Sequence, residues 1–349
     1  MSTSSSECRR RVNREATANY NNEVGDRDCM DDKVKDKKFD NDTTVAPRYL
    51  RGMITLFRAC PKVCKIPFTK VDITFALLSA LVLHAIRLVV TPLMIAKGGW
   101  PAGHKYTLDA VSSIVSMMHA MLLVSSLWFC LFPGWRYKPC AKFSETPQWH
   151  RDASTALTNM CIGYMLQDTI VCSLLGNYTP QSGLQLTMDD YAFIGHHLIT
   201  IIYMVSTLII QAGHFSAMML MFTGEITNPT FNLYLMYTNA VKLDFCCGIT
   251  PERYQIIAVV NAIPYLLLRT FIGPLVVVHL GYDILLRKQG RTNIPVPLGI
   301  FFVFCGFLVL WGSIPWCNEA WAMIVDAMDG KSLADRLLLH PSNVSSVSS

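Results

Sequence analysis

Residues 71–95 read Val-Asp-Ile-Thr-Phe-Ala-Leu-Leu-Ser-Ala-Leu-Val-Leu-His-Ala-Ile-Arg-Leu-Val-Val-Thr-Pro-Leu-Met-Ile. A helix that crosses a bilayer needs about 20 predominantly apolar residues, and this stretch supplies them, interrupted by His84 and Arg87. Comparable runs recur at 108–132, 154–175, 191–210, 214–240, 255–280 and 297–321. The pattern predicts an all-α polytopic membrane protein with about seven transmembrane helices. The fifth run is interrupted by Glu225, Asn228 and Pro229, so it is expected to be broken or re-entrant. Such a break is tolerated only where protein or a cavity satisfies the backbone.

Outward from these runs the chain divides in three. Residues 1–70 form a polar tail, expected to be disordered over 1–45 because it is highly charged with little to bury. The tail closes on a basic juxtamembrane segment. Residues 71–322 are the membrane domain, and 323–349 are a short polar end rich in Ser. Charged residues make up only 16% of the chain, against about a quarter in soluble domains. The net charge of +5 sits largely in loops, with no basic stripe interleaved with aromatics, so nucleic acid is not an expected partner. The first thirty residues lack the apolar core of a secretory signal, and the first membrane helix is expected to direct targeting.

Lys and Arg orient the bundle. Arg48, Arg51, Arg58, Lys62, Lys65 and Lys70 precede the first helix, Arg136, Lys138, Lys142 and Arg151 follow the second, and Arg287, Lys288 and Arg291 follow the sixth. In a seven-helix arrangement these loops share one face, expected to be cytosolic along with the N-terminal tail. The loop 176–190, which has Asp189 and Asp190 but no Lys or Arg, is expected on the lumenal side. Asn177-Tyr-Thr and Asn343-Val-Ser are glycosylation sequons, a short motif that chance often produces. Most of the twelve Cys lie in apolar runs, where Cys behaves as a small hydrophobe. Cys60 and Cys64 lack a second pair at metal-ligand spacing, so no metal is expected. They read as free thiols rather than palmitoylation sites.

Polar residues inside the apolar runs need an explanation, since an Arg or Asp at a helix centre costs roughly 2.5–3.5 kcal/mol on insertion scales. Residues spaced by three, four and seven share a helix face. That spacing aligns His84, Arg87 and Thr91; Ser112, Ser116 and His119; Cys161, Tyr164 and Asp168; His196, Thr200, Tyr203 and Thr207; Glu225, Asn228 and Asn232; and Asn261, Tyr265 and Arg269. Each predicted helix thus carries one polar stripe that only the bundle interior or a wet cavity can accept. Most Ser, Thr and Asn residues read as interhelical glue, at about 0.6 kcal/mol per bond. Arg269 with Asp168 or Glu225 reads as an ion pair, and His119 as a satisfied interior residue. The adjacent pair His196–His197 is the sharper signal, because His titrates near neutral pH. Adjacent side chains diverge by about 100°, so one of the two should face the cavity. His196 is favoured, because its stripe continues through Thr200 and Tyr203 while that of His197 continues through Ile201 and Met204.

Five pieces, in order, carry a resemblance. They are Ser113-Ile-Val-Ser-Met-Met-His119, Gly163-Tyr164-Met-Leu-Gln-Asp168, Asp190-Tyr-Ala-Phe-Ile-Gly-His196-His197, Gly224-Glu225-Ile-Thr-Asn-Pro229-Thr-Phe-Asn232, and Asn261 through Arg269. Together they resemble the TLC domain family, which includes the ceramide synthases, and the fourth looks most like the TLC domain-containing protein 4 type. The resemblance implies a barrel of membrane helices around a lipid-sized cavity and residence in the endoplasmic reticulum or another endomembrane. The chain departs from the ceramide synthases in having no Asp pair after the His pair and no homeobox-like segment before the membrane core.

Two functions follow as expectations. One is an acyltransferase of ceramide-synthase type, with acyl-CoA as co-substrate and no bound cofactor. His196 or His197 would act as base or nucleophile, oriented by Asp168 or Glu225. His119, Tyr164, Thr200, Tyr203, Glu225, Asn232 and Arg269 would bind the lipid or its head group. The other is a non-enzymatic protein that binds, senses or transports lipids through the same stripes. In both, the partners are membrane lipids: a sphingoid base, a fatty acyl chain or a phospholipid. A di-iron hydroxylase is set aside, because it needs several His boxes and this chain has one adjacent pair.

Overall fold

The computed structural model describes residues 46, 48–134, 140–179, 183–244 and 248–333. The expectations for residues 1–45, Arg136, Lys138 and Asn343 fall outside them. The described chain is almost entirely helical. In order it forms α1 (Arg48–Ala59), α2 (Ile73–Gly98), α3 (Lys105–Gly134), α4 (Gln148–Asp168), α5 (Met188–Ile210), α6 (His214–Glu225), α7 (Asn228–Lys242), α8 (Pro251–Leu266), α9 (Gly273–Gly281), α10 (Lys288–Asn293), α11 (Val296–Gly312) and α12 (Ile314–Met328). π-helical turns at Thr169–Leu175, Leu267–Ile272 and Tyr282–Leu286 extend α4, join α8 to α9 and extend α9.

Five of the expected spans are helices long and apolar enough to cross a membrane: Ile73–Gly98, Lys105–Phe132, Asp190–Ile210, Pro251–Leu286 and Val296–Met328. The other two of the expected seven are helical but differ in kind. The run 214–240 divides into α6 and α7, separated at Ile226 and Thr227, with Pro229 in the first turn of α7. There its missing N–H costs nothing. The run 154–175 lies in α4 and its π-helical extension, and α4 is too polar to count as a lipid-facing span. From Ala153 to Asp168 only Leu166 escapes burial. α4 is the central helix, packed against α1, α2, α3, α5 and α6. By contrast α2 turns Leu77, Leu81, Leu88 and Val89 outward, as a helix facing acyl chains should.

A close helix contact is made by Gly163 of α4. A Cβ there would collide with the Ala76 carbonyl oxygen of α2, so the two backbones touch where a side chain would stand. Asp72 caps the start of α2, its Oδ1 accepting from Phe75 N at 3.0 Å, and its other oxygen accepts from Lys62 Nζ at 2.6 Å. Asn159 of α4 completes the clasp. It accepts from Asp72 N at 2.9 Å and donates to the Lys70 carbonyl at 3.1 Å.

The basic approach to the first span, expected as part of a tail, is instead the helix α1. Its residues Leu50, Ile54 and Phe57 share one face and are buried in the core around α4. On its other side Arg58 Nε donates to Asp152 at 2.7 Å. The basic loops meet at one end of the bundle, as expected. Phe143 N donates to the Gln211 carbonyl (2.8 Å), Gln211 Nε2 to the Phe68 carbonyl (2.9 Å), Gln289 Nε2 to Glu145 (3.1 Å) and Asn293 Nδ2 to the Cys140 carbonyl (2.9 Å). α4 leaves this end and reaches the opposite one at Leu175. There a two-residue hairpin pairs Tyr178–Thr179 with Gly183–Leu184. Asp190 is used locally, closing a capping box with Thr187 and accepting from Asn177 Nδ2 at 3.1 Å. The amide of the Asn177 sequon is therefore tied into the fold.

Candidate functional site

Four helices place their polar residues in one line. Asn232 Nδ2 on α7 donates to Ser116 Oγ on α3 at 3.0 Å. Ser116 and the Tyr164 hydroxyl on α4 are 2.8 Å apart, and Tyr164 donates to Asp168 Oδ2 at 3.1 Å. Because the Tyr164 proton goes to Asp168, Ser116 is the donor to Tyr164. The line ends at α5, where His197 Nε2 lies 4.0 Å from Asp168 Oδ2. Nδ1 of His197 is hydrogen-bonded to Thr169 Oγ1 at 2.9 Å. The His197 ring packs against Phe193, with centroids 4.1 Å apart. His119 of α3 stacks flat on Tyr164, centroids 3.9 Å apart and planes 13° apart.

A second group sits at the α6–α7 break. The last carbonyls of a helix lack intrahelical donors, and Arg269 supplies one, its Nη2 donating to the Gly224 carbonyl at 2.9 Å. Glu225 accepts from Asn228 Nδ2 at 2.7 Å and lies within electrostatic reach of both Arg269 and Asp168. Arg269 is also an electrostatic neighbour of His196, so the two groups adjoin. Nε of Arg269 is buried and has no hydrogen-bond partner among the described residues. That leaves one N–H available for a carbonyl or phosphate oxygen. Thr169 and Arg269 both lie in π-helical turns, a local widening that recurs at functional sites.

The predicted residues therefore separate. Asp168, Tyr164, His119, His197 and Asn232 form one contiguous cluster, and Glu225, Arg269 and His196 border it. The two histidines sit in different surroundings. His197 is the buried ring held between Asp168 and Thr169, while the His196 ring is exposed. Thr200 spends its hydroxyl on the His196 carbonyl of its own helix, at 2.8 Å. Tyr203 packs in a separate apolar cluster against Phe302, ring centroids 4.3 Å apart. Thr169 and Phe193 escaped the sequence reading. Thr169 adjoins Asp168, but only the neighbouring helix shows that it meets His197. Arg87, expected on a cavity stripe, donates to Ser112 at 2.8 Å and so ties α2 to α3.

A groove of about 410 Å³ opens between α3 and the α6–α7 break. Met121, Val124, Trp128 and Phe129 line it on α3, and Phe222, Ile226 and Pro229 on the other side. It has room for acyl chain, but none of the polar cluster lines it. On α3 these residues lie across the helix from His119. The polar cluster thus lies inside the bundle and this apolar groove beside it. Among the described residues no group of His, Cys, Asp and Glu could hold a metal ion.

Residues 109–322 match the family model described as TLC domain. No curated protein and no solved structure matches the chain.

Proposed function

Because this chain belongs to the TLC domain family, we propose that it acts on membrane lipids at the cluster around Asp168 and His197. The reading supported best is transfer of an acyl chain from a coenzyme A thioester to a lipid amine or hydroxyl. One observation carries it: a carboxylate, an imidazole and a hydroxyl line up as Asp168, His197 and Thr169 inside the bundle. With Nε2 turned toward Asp168, the Nδ1 lone pair is directed at the Thr169 hydroxyl. A lipid hydroxyl or amine taking the place of that hydroxyl would meet the same base. His197 removes its proton as it attacks the thioester carbonyl. The carbon–sulfur bond then breaks, and the departing thiolate takes the proton from the imidazolium. The buried Nε–H of Arg269 is a donor for the head group or the carbonyl oxygen. The resemblance of Gly224 through Asn232 to the TLC domain-containing protein 4 type supports a role in lipid homeostasis in an endomembrane.

A second reading, lipid binding without chemistry, is favoured by the way Asn232, Ser116, Tyr164 and Asp168 satisfy one another. Labelled acyl-CoA supplied to membranes holding the full chain separates the two. If the acyltransferase reading holds, wild type forms a labelled lipid, His197→Gln lowers its rate 10²–10⁴-fold, the usual worth of a general base, and His196→Gln lowers it less. A lipid that co-purifies with wild type, no labelled product, and equal behaviour of both variants would instead establish binding alone.

A further inference from the structure

The loop between α1 and α2 combines two features that a folded protein avoids leaving to water. It shows bare apolar side chains: Phe68 is 98% exposed and Val63 79%. Phe68 also has a φ of 60°, a left-handed conformation that bulky residues adopt only at a cost. Gln211 Nε2, bonded to its carbonyl at 2.9 Å, helps hold it there. The strained backbone points an aromatic ring outward, where a water-soluble loop would have a polar one.

Among the described residues around this loop, the cations outnumber the carboxylates available to them. Lys65 and Arg151 both lie within electrostatic reach of Lys70. Burial, with repulsion from Lys65 and Arg151 next, holds the Lys70 ammonium below its usual range. Of the nearby carboxylates, Asp152 is bonded to Arg58 and Asp72 to Lys62. Lys65 and Lys70 make no ion pair among the described residues. The loop leads directly into the first apolar span at Ile73, which sets it at the depth of the lipid head groups, where aromatic side chains are favoured.

We propose that Lys65 and Lys70, with Phe68 between them and Val63 just before them in the same loop, form a binding site for the phosphate head group of an anionic phospholipid. The ammonium groups meet the phosphate, and the exposed apolar side chains enter the upper part of the acyl region of the same leaflet. This site lies at the basic end of the bundle and is independent of any reaction at His197.

Native mass spectrometry of the detergent-solubilised full chain, titrated with phosphatidylglycerol or phosphatidylcholine, tests it. Wild type is expected to retain phosphatidylglycerol preferentially. Lys65→Gln/Lys70→Gln should weaken that retention about 25-fold, at roughly fivefold for each ammonium group near a charged surface. Lys65→Gln alone, at an exposed side chain with no ion pair among the described residues, is expected to leave the fold intact and should show about the fivefold loss. Phe68→Ser should weaken retention of both lipids, and Lys97→Gln, in the last turn of α2 at its far end, should change nothing. Equal retention of the two lipids by wild type, or undiminished retention by the Lys variants, would overturn the proposal. Displacement of the lipid by millimolar inorganic phosphate would also overturn it, in favour of a site for a free anion.

Discussion

Gly163 and Gly195 show how much one hydrogen atom in place of a side chain can decide. At Gly163 the neighbour is a backbone carbonyl that cannot move aside, so Gly163→Ala is expected to destabilise the bundle by about 3 kcal/mol, the upper end of the overpacking range. At Gly195 of α5 nothing lies within 4 Å of the added carbon. Gly195→Ala should therefore be neutral or gain about 0.5–1 kcal/mol from reduced backbone freedom. Thermal unfolding of the two variants in detergent checks both signs at once. The residue scale is also where the sequence and the structure weigh the histidines differently. His196 was favoured over His197 because its polar stripe continues along its own helix. The structure favours His197 because of what a different helix brings to it. Asp168 and Thr169 come from α4, and no periodicity within α5 encodes them. The Tyr203 stripe fails for the same reason, since Phe302 of α11 closes over the ring.

Among the elements, the break between α6 and α7 was the most legible. Glu225, Asn228 and Pro229 interrupt an apolar run, and the chain parts at Ile226 and Thr227. What the sequence did not show is that Arg269, forty-five residues on, caps the broken end. Arg269→Met should cost roughly 1.5–3 kcal/mol, the worth of a hydrogen bond to a charged group. Adding Glu225→Gln should recover part of that loss by removing the carboxylate left without its cation. Chemical denaturation of the single and double variants measures the difference, and additive losses would show that the two side chains act independently. The central helix α4 was legible as a helix but not as the core. Its stripe of Cys161, Tyr164 and Asp168 was read as fit for the bundle interior or a wet cavity, and protein encloses it on nearly all sides.

For the molecule as a whole, the meeting of the basic loops at one end gives a topology that cysteine labelling can read. Cys64 is exposed at that end, while Cys140 is buried nearby. Burial, with Asp283 next, pushes the Cys140 thiol up to about 12, so at pH 7.5 it stays protonated and unreactive. In a variant that keeps only Cys64, an impermeant maleimide should label from the cytosolic side of sealed vesicles. A variant that keeps only Cys140 should stay unlabelled from either side. Labelling of Cys64 from the lumenal side alone would invert the bundle and move the lipid site to the other leaflet. The five apolar helices that frame this topology were legible by length and hydropathy. The run in α4 stands apart from those five because hydropathy reports what faces lipid, and α4 faces protein. That same helix constrains how the molecule is made. A segment carrying His150, Asp152, Asn159, Gln167 and Asp168 gains little from leaving the insertion machinery alone. α4 is therefore expected to enter the membrane against α2 and α3, which the ribosome delivers before it, so the order of the helices along the chain sets the path by which the bundle assembles.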